Sequence, residues 1–277
     1  MALGACLLAS FASGVVGSFV VVKRIAFIAG GISHSILGGM GLCLWAQRTY
    51  GLAWLDPTLG AFAAAIASAI LIGWIHLNYR QREDAVIAAI WSTGMAIGVI
   101  FISLTPGTNV ELLNFLFGNI LWTSSRDLWM LGALDGLILL VIGFYYKRFL
   151  SLCFDEEQAL LQGVAVRRLY LLLLSLVAVS VVFLVQMIGT ILVIALLTIP
   201  ATVASLFTRR LYSMMGMASL LSAFFSVSGL GSAYLLNWPP GATIALFAAL
   251  VYLASLAFRK KIISLRNGSL TKPPLFQ

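Results

Sequence analysis

The chain has 277 residues, 61% hydrophobic and only 9% charged, with a formal charge of +8. So apolar a composition excludes a soluble globular domain, and the length excludes a single membrane anchor. The positive charge does not indicate nucleic acid, because the basic residues stand in pairs between apolar runs rather than along one face.

The apolar runs are near 20 residues, about the length of helix that crosses a 30 Å hydrocarbon layer, and they lack the alternation of β-barrel strands. The fold class that follows is all-α and polytopic. Polar clusters divide the chain into spans at residues 2 to 22, 25 to 44, 57 to 76, 85 to 104, 128 to 145, 169 to 186, 188 to 207, 214 to 236 and 242 to 258, about nine helices. The first span begins almost at Met1 without a basic leader, which reads as a retained helix rather than a cleaved signal. With the N-terminus outside, 15 of the 17 basic residues fall on inner connections, and only Arg48 and Arg126 fall outside. That asymmetry predicts an N-terminus outside and a C-terminus in the cytoplasm.

In chain order, the first unusual residue is His34, in IAGGISHSILGG. It lies about ten residues into the second span, roughly 15 Å deep and close to the membrane midplane. A neutral imidazole there can bind a divalent metal through one ring nitrogen while the other is fixed by a hydrogen bond. Gly30, Gly31, Gly38 and Gly39 flank it by one turn and admit either another backbone or a partly hydrated ion. The plainer alternative is a histidine hydrogen-bonded between packed helices. His76 closes the third span and reads as an interfacial residue.

The outer connection from Pro106 to Asp127 contains an apolar segment too short to cross, which suggests a helix dipping into the outer face. Asp56, Glu111 and Asp127 place negative charge on that side, where it concentrates cations, meets a basic partner or is simply solvated. Asp135 lies about seven positions into the fifth span, roughly 10 Å deep, and either joins the path or accepts a hydrogen bond from a neighbouring helix. The inner connection from Tyr146 to Arg168 contains Asp155, Glu156 and Glu157 opening a short helical pattern that stops near Gly163, the acid-first, glycine-last arrangement of a small cytoplasmic helix. Pro200 is expected to kink or break the seventh span, and WPPG at Trp238 to Gly241 to make a turn.

Cys6, Cys43 and Cys153 are odd in number and widely spaced, so neither a disulfide framework nor a thiolate metal site is suggested. There is no phosphate-binding GxxxxGK[ST] loop, no HExxH and no nucleophile constellation. The chain is not an enzyme by this reading, and energy must come from an ion gradient or another subunit.

Several stretches, in order, resemble the permease subunits of bacterial ABC importers for zinc, manganese and iron: GSFVVVKRIAFIAGGISHSILGG, EDAVIAAIWSTGMAIGV, LLNFLFGNIL, FDEEQALLQGV, VQMIGTILVIALLTIPATVASLFTRRL and GLGSAYLLNWPPGATIALFAALVYL. The resemblance covers almost the whole chain as a single permease domain. It implies a fold related to the corrinoid and siderophore-type importer permeases, in the bacterial cytoplasmic membrane. The implied partners are a second copy of the permease, two ATP-binding cassette subunits that hold the ATP, and an extracytoplasmic solute-binding protein. No permanently bound cofactor is implied; the divalent metal ion is cargo. By the same resemblance, the 146–168 connection is a coupling segment in which Asp155, Glu156, Glu157, Ala159 and Gly163 meet the ATPase. The 106–127 connection is an outer gating segment with Glu111, Phe117, Gly118 and Asn119. His34 matches the family histidine in a Gly-Asp-x-x-Ser/Ala-His pattern and, with Asp135, is the candidate metal contact. Taken at a spacing of three from His34, the pattern's aspartate position is Gly31, which removes one oxygen ligand and its charge.

Three other readings compete with import of a free ion by an ATP-driven importer. A permease for haem, a siderophore or a corrinoid would need a wider path. A gradient-driven secondary transporter would be expected to show internal repeats, and none is evident. A membrane protein without transport would leave His34 and Asp135 buried to no purpose.

Overall fold

In hydrocarbon every backbone N–H and C=O must be paired within the protein, and apolar runs of this length achieve that as helices. A computed structural model describes residues 1–78, 83–106, 115, 118 and 120–268. Its helices are α1 (Ala2–Val22), α2 (Ala26–Tyr50), α3 (Pro57–Asn78), α4 (Glu83–Leu104), α5 (Ser125–Phe154), α6 (Glu156–Leu161), α7 (Val166–Ile188), α8 (Thr190–Phe207), α9 (Leu211–Leu236) and α10 (Pro240–Gly268), with one 3-10 turn at Ile120–Trp122. Among the described residues, nine helices are long and apolar enough to cross a membrane, as the sequence predicts.

The ends of these helices are set by local chemistry. Asp56 Oδ1 accepts the Thr58 N–H at 2.7 Å as α3 begins at Pro57, and hydrogen bonds from the Thr58 hydroxyl and N–H hold the Asp56 carboxyl below the usual carboxylate range. Asp127 forms a reciprocal capping box with Ser124 at the start of α5. Both acids are therefore engaged in starting helices. Two spans outrun their expected limits: α2 continues to Tyr50, and α5 continues through Lys147 and Arg148 to Phe154. The first part of the expected inner connection is thus the last turns of α5. α8 runs unbroken through Pro200, and the Trp238 turn leads into α10 at Pro240. The three cysteines are free.

Helices in lipid gain nothing hydrophobic by meeting, so close backbone approach and interhelical hydrogen bonds must hold them. α1 joins α9 through the hydroxyl pairs Ser10–Ser226 and Ser13–Ser222, both 3.0 Å, and through Gly14 on Ser219. Such pairs contribute about 0.6 kcal/mol each. α2 lies between α3 and α4. It runs parallel to α4, with Gly31 on Ile87, His34 on Trp91, Gly38 on Gly94 and Gly41 on Gly98. It runs antiparallel to α3, with Gly39 on Gly60 and Ser68 donating to Ser35 at 2.8 Å. α7 packs on α3 through Phe183 and Phe62, with ring centroids 5.1 Å apart. α1, α2 and α7 form the buried centre, while α4, α5, α9 and α10 turn much of their apolar surface outward.

Because consecutive spans alternate in direction, Lys23 and Arg24, Lys147 and Arg148, Arg167 and Arg168, and Arg209 and Arg210 gather at one end of the bundle. We call it the basic end.

A methyl group on Gly60 would fall on the Gly39 carbonyl, whereas one on Gly136 of α5 meets nothing within 4 Å. Gly60→Ala is expected to lower the stability of the detergent-solubilised protein by about 1 to 3 kcal/mol. Gly136→Ala should leave it unchanged or raise it. Thermal melts of the two variants beside wild type check this.

Candidate functional site

His34 lies about eight residues from the start of α2, so roughly 12 Å from the basic end. Its imidazole lies flat on the Trp91 indole of α4, with centroids 4.3 Å apart and planes 4° from parallel. Trp91 Nε1 donates to Met95 Sδ at 3.1 Å, which fixes the indole from the next turn. His34 Nδ1 is buried and has no hydrogen-bond partner among the described residues. A buried polar atom left unpaired costs about 1 to 3 kcal/mol, so a ligand from outside the chain is favoured there. The stack orients the ring but supplies no hydrogen bond to that nitrogen.

Trp91 also lines a cavity of about 240 Å³ together with Ala26, Phe27, Gly30, Ile194 and Thr198. The cavity therefore opens between α2, α4 and α8, one turn from His34. Thr198 is its main polar side chain; its hydroxyl donates to the Ile194 carbonyl at 2.7 Å, and its oxygen can still accept or coordinate. Trp91 and Thr198 carried no site assignment from sequence. Trp91 becomes identifiable only because α2 and α4 are parallel and in register, a tertiary fact.

The glycines around His34 divide by role. Gly31, Gly38 and Gly39 are occupied by close contacts with Ile87, Gly94 and Gly60, and a Cβ on Gly31 would come within 2.7 Å of Ile87 Cγ2. Gly30 alone of the four faces open space and lines the cavity. This corrects the assignment of the missing aspartate to Gly31. The pattern Gly-Asp-x-x-Ser/Ala-His spaces its aspartate and histidine by four, which counts back from His34 to Gly30, and Gly30 is the position with room for a carboxylate.

Asp135 sits on α5, which packs on α1 and α7, whereas α2 packs chiefly on α3 and α4. The two candidate metal contacts therefore do not share a substantial helix interface within one chain. Asp135 is only 8% exposed, and its Oδ1 is buried without a hydrogen-bond partner among the described residues.

At the basic end, α6 is built as a separate one-and-a-half-turn element. Asp155 caps it, accepting the Gln158 N–H at 2.9 Å, and Ala159 is fully buried against the bundle. Its C-terminus closes with Gly163 at φ 74, Gly163 N–H bonding Leu160 and Val164 N–H bonding Ala159. These contacts give Asp155, Ala159 and Gly163 structural roles. What α6 presents outward is Glu157 and Gln158 with Leu160 and Leu161, the last 89% exposed.

At the opposite end, Gly118 has φ 71 and sits so close to the Ile188–Gly189 backbone that a Cβ would overlap it. It thus rests on the single-glycine turn between α7 and α8. Glu111, Phe117 and Asn119 lie outside the described residues. Among the described residues, no group of three or more His, Cys, Asp or Glu side chains gathers as a metal cage.

Residues 1–259 match the ABC 3 transport family. The chain belongs to that family. Among its relatives, a Chlamydia pneumoniae protein named "Probable metal transport system membrane protein" is 48% identical over 257 residues, covering 93% of this chain and 87% of that protein. The "Manganese transport system membrane protein MntC" of Listeria innocua is 32% identical over 249 residues, covering 90% and 86%. Among solved structures, PsaBC from Streptococcus pneumoniae in complex with Fab superposes with a TM-score of 0.80 at 32% identity, covering 92% of this chain and 89% of that one. This ABC 3 family member is thus a multi-pass membrane protein whose whole bundle, not one motif, carries the likeness.

The glycine assignment has a direct check. Gly30→Asp should yield folded, monodisperse protein at wild-type level, because its side chain enters the cavity. Gly31→Asp should not, because its side chain would have to displace Ile87. Size-exclusion profiles and thermal melts of the two variants distinguish the positions.

Proposed function

We propose that this chain is the permease subunit of an ATP-driven importer that moves a divalent transition-metal ion across the bacterial cytoplasmic membrane. The observation that carries the proposal is the buried Nδ1 of His34, without a hydrogen-bond partner among the described residues, one turn from a cavity inside a family transport bundle. A neutral imidazole suits manganese, iron or zinc, and the relatives' names make manganese the first to test. Two copies around a central path, two ATPase subunits and an extracytoplasmic binding protein complete the transporter, with the N-terminus outside and the basic end in the cytoplasm.

The mechanism is alternating access. The loaded binding protein docks on the outer face, and the segment containing Gly118, Glu111, Phe117 and Asn119 closes the path there. ATP binding draws the ATPases together, and force delivered through α6 switches the permease between outward and inward openings. Leu160, Leu161 and Glu157 form the projecting surface that meets the ATPase. Along the path the ion exchanges water for His34, with Asp135 contributing charge from α5, where its Oδ1 has no hydrogen-bond partner among the described residues. With glycine at position 30, the site has one oxygen ligand fewer, which suits a cargo that must be released.

Two outcomes check this. In cells expressing the complete transporter, His34→Ala at equal permease level should reduce accumulation of one metal by about tenfold or more, with manganese, zinc and iron read in parallel by elemental analysis. Normal accumulation of all three would make His34 a packing residue. Glu157→Arg should abolish uptake while the permease still folds, and full uptake in that variant would remove α6 from the coupling role.

A further inference from the structure

Lys23 caps the C-terminus of α1, yet its ammonium lies among the ends of three other elements. It donates to the Leu152 carbonyl in the last turn of α5 at 3.0 Å, forms an ion pair with Glu156 at the start of α6, and stands 5.9 Å from the centroid of the Tyr170 ring of α7. The Lys23 side chain is 13% exposed and that of Glu156 40%. Tyr170 is in turn stacked on His76 of α3, with centroids 4.7 Å apart. An ion pair so close to solvent contributes little to stability. Its distinctive property is where it attaches.

The attachment is stiff on the Lys23 side. α1 closes with Arg24 N–H bonding Val21 and Ile25 N–H bonding Val20, the paired bonds of a Schellman corner, and α2 starts at Ala26. The left-handed position of that corner is held by Arg24, at φ 60, where glycine is usual. Ile25 is buried. A displacement of Lys23 therefore moves the first turn of α2, and with it the helix that carries Gly30 and His34. Glu156 is itself on the first turn of α6, held by the Asp155 cap.

We propose that Lys23 is a positioning residue that links α6 to α2 through Glu156, so that movement of the coupling helix is delivered to the metal-path helix at its root. The inference rests on the reading of α6 as the coupling helix. Glu156 has thereby a different task from Glu157: it faces the permease, and Glu157 faces the ATPase.

The test reconstitutes the full transporter in proteoliposomes and measures Mn²⁺ imported per ATP hydrolysed. Lys23→Met and Glu156→Gln should each lower that ratio about five- to tenfold in assembled complexes, and the double variant should be no worse than either single one. Lys23→Arg should restore most of the ratio. A merely structural role would lower import and hydrolysis together and leave the ratio unchanged. A wild-type ratio in assembled Glu156→Gln, or effects that multiply in the double variant, would overturn the linkage. If Lys23→Met fails to assemble, Glu156→Gln, at the more exposed end of the pair, decides the outcome. Glu157→Arg, run alongside, separates the two levels of the reading. Should it also transport normally, α6 is not the coupling element and both proposals fail. Should it stop transport while the Lys23 and Glu156 variants behave as wild type, only the linkage fails.

Discussion

The wedging of α2 between α3 and α4 is the constraint on which the rest of the arrangement depends. In lipid there is no hydrophobic reward for bringing helices together, so the contact is made by removing side chains: Gly38 and Gly41 against Gly94 and Gly98 on one side, and Gly39 against Gly60 on the other. Backbones this close fix the rotation of α2. That rotation lays His34 flat on Trp91, turns Gly30 toward the cavity and places Ser35 within hydrogen-bonding reach of Ser68. A single turn of slippage would bury a different set of residues, and the imidazole would lose its aromatic support.

The site that results is sparse. Around Trp91 the described residues offer the His34 imidazole stacked on the indole and the Thr198 hydroxyl in the cavity, and no cage of ligands. A resident metal is held by several donors of fixed geometry, whereas a cargo ion in transit needs a shallow well. Two carboxylate positions add to that sparseness: Gly30 leaves the cavity without one, and Asp135 holds one on another helix, its Oδ1 without a hydrogen-bond partner among the described residues.

The two ends of the bundle are built differently. At the basic end, short capped elements converge: the corner after α1, the end of α5, α6 and the start of α7 meet around Lys23 and Tyr170. At the other end, α7 and α8 turn on Gly189 alone, and Gly118 presses on that turn without space for a side chain.

Much of this was legible from sequence because the physics behind it is local. A run of about 20 apolar residues has few options other than a helix in lipid, so nine spans could be counted. Acids opening and glycine closing a short pattern described α6 almost to its limits, and His34 stood out because an imidazole in hydrocarbon needs a reason. Counting the pattern's own spacing of four from His34 leads to Gly30, but the sequence could not show that Gly30 faces open space while Gly31 is pressed on Ile87. It could not find Trp91, Thr198 or the Lys23–Glu156 pair, whose members are far apart along the chain. Nor could it show that Asp56 and Asp127 start helices while Asp135 Oδ1 is buried without a hydrogen-bond partner among the described residues. Those outcomes depend on the rotation of each helix about its own axis and on which neighbours it meets, and both are set by side-chain packing between segments distant in sequence.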